Sequence, residues 1–227
     1  KWQSQREREL AQLQKEKPLG LWIFSSAWLR MEWVVSDLTD RISGARRRHA
    51  AQMAVKDNPD IRQDGIMGSV DRPWGEMPPY TVAYVEIARD TSQDYMVRAS
   101  AIRALNRARA TEFKPVYVQQ LSDTNPAVRL EACKALNRMP DAEALSMLLK
   151  LATRPEEDKD VRIAAVEALR HYKRLDVARA LVGLLGEREF GIAWQARRSL
   201  QEITSQKLGY DEAKWLQYLS SPTKPLG

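Results

Sequence analysis

Asp123-Thr124-Asn125-Pro126-Ala127-Val128-Arg129-Leu130-Glu131-Ala132-Cys133-Lys134-Ala135-Leu136 decides the fold of this chain. Asp123 and Asn125 are residue types that accept from the free amides of a helix start. Pro126 is tolerated in a first turn, where its missing N–H is no loss. Val128, Ala132 and Leu136 then recur every fourth residue, which places them on one side of a helix. The same template returns as VRASAIRAL from Val97 to Leu105, VRIAAVEAL from Val161 to Leu169 and IAWQARRSL from Ile192 to Leu200, with a poorer copy, IRQDGIMGS, from Ile61. Successive starts lie 36, 31, 33 and 31 residues apart. A helical unit repeated at a period in the low thirties predicts a solenoid, because a single helix pair cannot bury its apolar face and a stack of pairs can.

Working outward, turn residues precede the copies at Asp57 to Asp60, Asp123 to Pro126 and Pro155 to Asp158. Upstream of the template helices lie other apolar helical runs at 80–88, 113–121, 142–151 and 175–185, so the unit is helix, turn, helix. An irregular Gly- and Pro-bearing loop over 68–79 accounts for the longer first step. Residues 206–219 read as a terminal cap, with Gly209 stopping a helix, Asp211 starting one, and Trp215, Leu216 and Leu219 closing the last unit. A loose tail over 220–227 follows. Residues 1–45 form an N-terminal helical extension, and the repeats occupy 46–205.

That extension holds a charged helix over 2–16 and a second helix over 19–42. On the second, Leu21, Phe24, Trp28, Met31, Val35, Leu38 and Ile42 form one apolar stripe, expected to pack on the first repeat. Trp22, Leu29 and Trp33 form another with no obvious use within the chain. Arg30 and Glu32 interrupt the apolar run before the length of about 20 residues that a bilayer requires, so no transmembrane helix is expected.

With 227 residues, 44% of them hydrophobic and 29% charged, and only 10 glycines, the composition suits a helix-rich fold rather than a collagenous or disordered one. The single cysteine, Cys133, excludes an intrachain disulfide and a multi-cysteine zinc site. Its template place matches Ile102 and Val166, which makes it a core residue. Residues 1–56 carry 11 Lys/Arg against 6 Asp/Glu, and residues 57–227 carry 25 against 24, so the repeats are nearly neutral, which disfavours nucleic acid as a partner. The first residue, Lys1, is not Met, which is compatible with an upstream signal or anchor.

Asp-x-x-Pro-x-Val-Arg-x-x-Ala-x-x-Ala-Leu, as at Asp123 to Leu136, resembles the HEAT repeat and its relatives, the HEAT-like repeats of phycobilin lyases, over roughly 46–205. Gly209-Tyr210-Asp211 and Trp215 are similar to a segment following the last repeat of planctomycete-type HEAT-repeat proteins of unassigned function. The resemblance implies an all-α, right-handed α-solenoid of about five HEAT-type helix pairs. It also implies a non-enzymatic interaction or assembly scaffold, or an accessory subunit of a larger complex, whose partner is another protein presenting an acidic surface or an apolar groove. A bilin-lyase-like enzyme and a nucleic-acid-binding module are the alternatives. Arg62, Arg98, Arg129 and Arg162 match the ladder arginine of such arrays, which bonds a neighbouring unit's turn aspartate; Asp57, Asp94, Asp123 and Asp158 or Asp160 are the matching acids. Ala193 takes the arginine's place in the last copy. Second helices line the concave face of this family.

Positions three, six and ten after the first template residue are therefore expected to point outward: Ser100, Arg103, Arg107; Glu131, Lys134, Arg138; Ala164, Glu167, His171; Gln195, Arg198, Glu202. Arg103, Arg107, Lys134 and Arg138 would gather into a basic patch for an acidic partner. With the Trp22, Leu29 and Trp33 stripe, these are the candidate binding residues. Arg46-Arg47-Arg48-His49 adds a basic run that reads as a solvated helix end or as a contact for phosphate or a membrane surface. His49 and His171 lack ligand spacing, and neither a phosphate-binding glycine loop nor a nucleophile set stands out, so no catalytic residue, metal or cofactor is expected. Localisation leans to the cell envelope, with cytoplasm as the alternative.

Overall fold

The chain is described by a computed structural model at residues 34–35, 38–39, 44–70 and 72–221. Side-chain caps start the second helix of each of the first four units, at Asn58, Asp94, Asn125 and Asp158, each accepting from an amide within the next three residues. From Ala45 onward, eleven α-helices follow with no strand among the described residues: α1 Ala45–Ala54, α2 Pro59–Ser69, α3 Tyr80–Arg89, α4 Tyr95–Arg107, α5 Lys114–Gln120, α6 Pro126–Arg138, α7 Leu145–Thr153, α8 Lys159–Leu169, α9 Leu175–Gly183, α10 Phe190–Thr204 and α11 Glu212–Leu219. Pairs α1/α2 through α9/α10 are in contact and form five helix-pair units. The second helices stack in the order α2, α4, α6, α8, α10, while α3 meets α5, and α9 meets both α7 and α11. The fold is an α-solenoid.

The template registers as expected. Val97, Ala101, Leu105, Val128, Ala132, Leu136, Val161, Ala165 and Leu169 are all fully buried, and Ile192, Ala196 and Leu200 match them. The first unit departs for steric reasons. Gly65 stands where the other units have alanine, and a Cβ there would come within 2.6 Å of the Met53 backbone nitrogen, because α1 crosses α2 at this point. Ser69 replaces the leucine and holds the Tyr84 hydroxyl at 2.6 Å. Ile61 is exposed rather than buried.

The loop expected over 68–79 is packed rather than merely irregular. Trp74 is buried, 4.8 Å from the Tyr80 ring centroid and 6.3 Å from that of His49, with the Arg46 guanidinium 5.8 Å over its face. At the far end Gly209 takes φ +68, and the buried Trp215 donates from Nε1 to the Gly209 carbonyl at 3.0 Å. Leu219 is buried too, but Leu216 is 47% exposed and does not join the cap face expected of it, because α11 lies on α9 and leaves that side open.

Two expectations on the N-terminal extension are answered only in part. Val34, Val35, Leu38 and Thr39 are helical, with Thr39 Oγ1 donating to the Val35 carbonyl at 2.6 Å. Val35 and Leu38, expected to face the first repeat, are 57% and 55% exposed. The other members of both stripes, including Trp22, Leu29 and Trp33, and the tail residues 222–227 lie outside the described residues.

Candidate interaction surface

Four arginines join each unit to the next. Arg98 grips Asp123 with Nη2 at 2.9 Å from Oδ1 and Nε at 3.1 Å from Oδ2, both side chains being almost wholly buried. Asp123 also accepts from the Asn125 amide at 2.8 Å, so one carboxylate ties the turn to the neighbouring helix. Arg129 binds Glu157 and donates to the carbonyls of Asp123 and Thr124 at 2.7 and 3.0 Å. Arg162 reaches Glu187 at 2.5 Å and the Ala152 carbonyl at 3.2 Å.

The partners differ from expectation at three rungs. Asp94 caps Met96, and Asp158 caps Asp160 and Val161, so their short carboxylates are already engaged. The longer Glu157, next to the cap, reaches the arginine instead, and Asp160 is not used. Arg62 finds the Gln93 amide oxygen in place of an acid, and its Nε has no hydrogen-bond partner. Burial lowers the Arg62 pKa from the ordinary arginine value, with the Asp90 carboxylate opposing that shift. In the last unit Ala193 takes the arginine's place, and among the described residues no further helix pair follows α10.

The ladder fixes the second-helix layer, and that layer carries the candidate face. Arg103, Arg107, Lys134 and Arg138 are all exposed. Glu131 is buried between two of them, 3.0 Å from Arg103 Nη2 and 3.1 Å from Lys134 Nζ, and its bond raises the Arg103 pKa. Arg138 donates to the Asn106 carbonyl at 3.3 Å. The third template position does not point outward as expected: Ser100, Glu131, Ala164 and Gln195 are all buried, because neighbouring second helices pack close enough to cover it.

The polar row continues along the array. Gln63 donates to Ser100 at 3.1 Å, His171 lies 3.2 Å from Asn137, Arg170 lies 3.4 Å from Glu202, and Arg198 lies 3.7 Å from that same carboxylate. Arg103, Arg107, Lys134, Arg138, Arg170 and Arg198 outnumber Glu131, Glu167 and Glu202, so the row is net positive although the repeats as a whole are nearly neutral. Arg170 escaped the sequence reading because it falls at the ninth template position, which the three-six-ten count skips.

Other candidates are quieter. Arg47 and Arg48 are exposed on the first turn of α1, while Arg46 is spent on Trp74. A cavity of about 650 Å³ between the third and fourth units is lined by Asp123, Arg129, Lys150, Arg154, Glu156 and Glu157, the ladder's own mixed charges. Cys133 is buried, and burial raises its thiol pKa to about 12, with Glu157 adding to the shift and Arg129 opposing it. Among the described residues no group of His, Cys, Asp and Glu could hold a metal ion, and no helix is long and apolar enough to cross a membrane.

Comparison with known proteins agrees with this geometry. A family model described as HEAT repeats matches residues 83–159. A crystal structure of an engineered protein, a structural genomics consortium target, is similar at a TM-score of 0.57 and 19% identity, covering 78% of this chain and 90% of that one; it speaks to the fold. No curated protein matches the chain.

Proposed function

We propose that this chain is a non-enzymatic interaction module whose second-helix face receives an acidic protein, starting from the match of residues 83–159 to a model of HEAT repeats, units that generally mediate protein–protein contacts. The observation that supports this most is the exposed row Arg103, Arg107, Lys134 and Arg138, held in register by the buried Glu131 and by the arginine ladder beneath it. Charges fixed on a rigid array lose little entropy when a partner docks, so their attraction goes into association rather than ordering. Partial neutralisation by Glu131 favours a shaped protein surface over a uniform polyanion, because alternating signs reward a matching pattern. The repeats at 46–205 then form the binding body, flanked by the extension at 1–45 and the cap at 206–219.

The test is affinity capture with isotope-labelled quantification, comparing the intact chain with Arg107→Glu/Arg138→Glu. A set of acidic proteins depleted in the variant supports the reading. Equal recovery of every captured protein by both overturns it.

A further inference from the structure

The other candidate surface lies at the end of the second-helix stack. In each earlier unit the fifth position after the first template residue is apolar and fully buried, as Ile66, Ile102, Cys133 and Val166, in helices that each stack on the next second helix. In α10 that place is Arg197, and among the described residues no further second helix covers it. The uncovered face is rich in aromatic surface: Phe190 is 69% exposed, Trp194 37% and Tyr210 43%. The groups are ordered against one another, with Phe190 6.5 Å from Tyr210, Arg197 5.3 Å over the Tyr210 ring and Arg198 4.9 Å over the Trp194 ring. Exposed aromatic rings stacked with arginine are the composition of interface hot spots.

At the opposite end of the same chain lies a helical segment with the complementary character. Val34, Val35 and Leu38 are each more than half exposed. Glu32, Asp37 and Asp40 surround them in sequence, against Arg30 and Arg41, so the segment is apolar with an acidic excess, while the α10 face is apolar with an arginine excess. Within one molecule the segment precedes α1, while the α10 face lies four second-helix steps further along the stack, so contact between them would need a nearly extended connection. From Val35 to Ala45 the chain spans at most about 35 Å even if fully extended, and its helical part shortens that. Four steps between stacked second helices at 8–10 Å each separate α2 from α10 by about 32–40 Å before the thickness of the end helices is added.

We propose that a second copy of this chain supplies the cover: the segment around Val34, Val35 and Leu38 of one molecule docks on the Phe190, Trp194 and Tyr210 face of the next. The contact is head to tail, so each molecule keeps one free donor and one free acceptor and the assembly grows in single-chain steps.

Sedimentation velocity over a concentration series tests this with two full-length variants, Val35→Glu/Leu38→Glu and Phe190→Glu/Trp194→Glu. All four changes fall on exposed side chains, and circular dichroism checks that the helices persist. The intact chain is expected to gain mass with concentration, each variant alone to stay monomeric, and an equimolar mixture of the two to stop at a dimer, since one retains the acceptor and the other the donor. The milder pair Leu38→Ala and Trp194→Ala should each weaken association at least about tenfold. A chain that is monomeric throughout overturns the proposal, as does a variant that still associates like the intact chain, or a mixture that stays monomeric.

Discussion

At Arg98 and Asp123 the ladder is nearly dry, and a buried pair of this kind matters most when half of it is removed. Arg98→Ala leaves the Asp123 carboxylate buried with only the Asn125 amide, so it should cost about 3–5 kcal/mol in urea unfolding. Arg62→Ala should cost less, because its partner is the neutral Gln93 and one of its nitrogens is already unsatisfied. Cys133 gives a second expectation at this scale. With its thiol raised to about 12, it should resist iodoacetamide at neutral pH in the folded protein and react only when denaturant opens the array; rapid native labelling would contradict its placement. The ladder arginines were legible in the sequence because four of the five template copies carry Arg at the same position. Their acceptors were not. Whether a turn Asp or the Glu beside it takes the arginine depends on which one is already capping a helix, and spacing alone does not carry that.

The second helices were legible as elements because cap, proline and four-residue apolar steps all agree in α4, α6 and α8. Their packing sets the expected costs. Leu136→Ala in α6 should lose about 2–5 kcal/mol, since the residue is enclosed on all sides. Gly65→Ala in α2 should lose about 1–3 kcal/mol for the opposite reason: the added methyl meets the α1 backbone, which cannot yield as a side chain would. Calorimetry reads both as lowered melting temperatures. The first unit was less legible because its glycine and serine break the apolar template, and their purpose, close approach of α1 and a hydroxyl for Tyr84, exists only once α1 and α3 are in place. The third template position was misjudged for a related reason. Its burial comes from the neighbouring second helix, not from anything along α6 itself.

Across the whole molecule, buried arginines lock the units and the locked units hold exposed cations in one row. Composition hid this. The repeats are close to neutral overall, yet Asp123, Glu157 and Glu187 are placed against ladder arginines, while Arg103, Arg107, Lys134 and Arg138 lie exposed on the second-helix face. Charge reversal on that face should therefore act on binding and leave folding alone. The most direct test is isothermal titration of a captured acidic partner against the intact chain and against Arg107→Glu/Arg138→Glu, with the melting temperature of each recorded alongside. Affinity at least about tenfold weaker, with an unchanged melting temperature, is the result predicted for rigidly held charges that meet a partner. Equal affinity in the two proteins would contradict the assignment of this face as the binding surface.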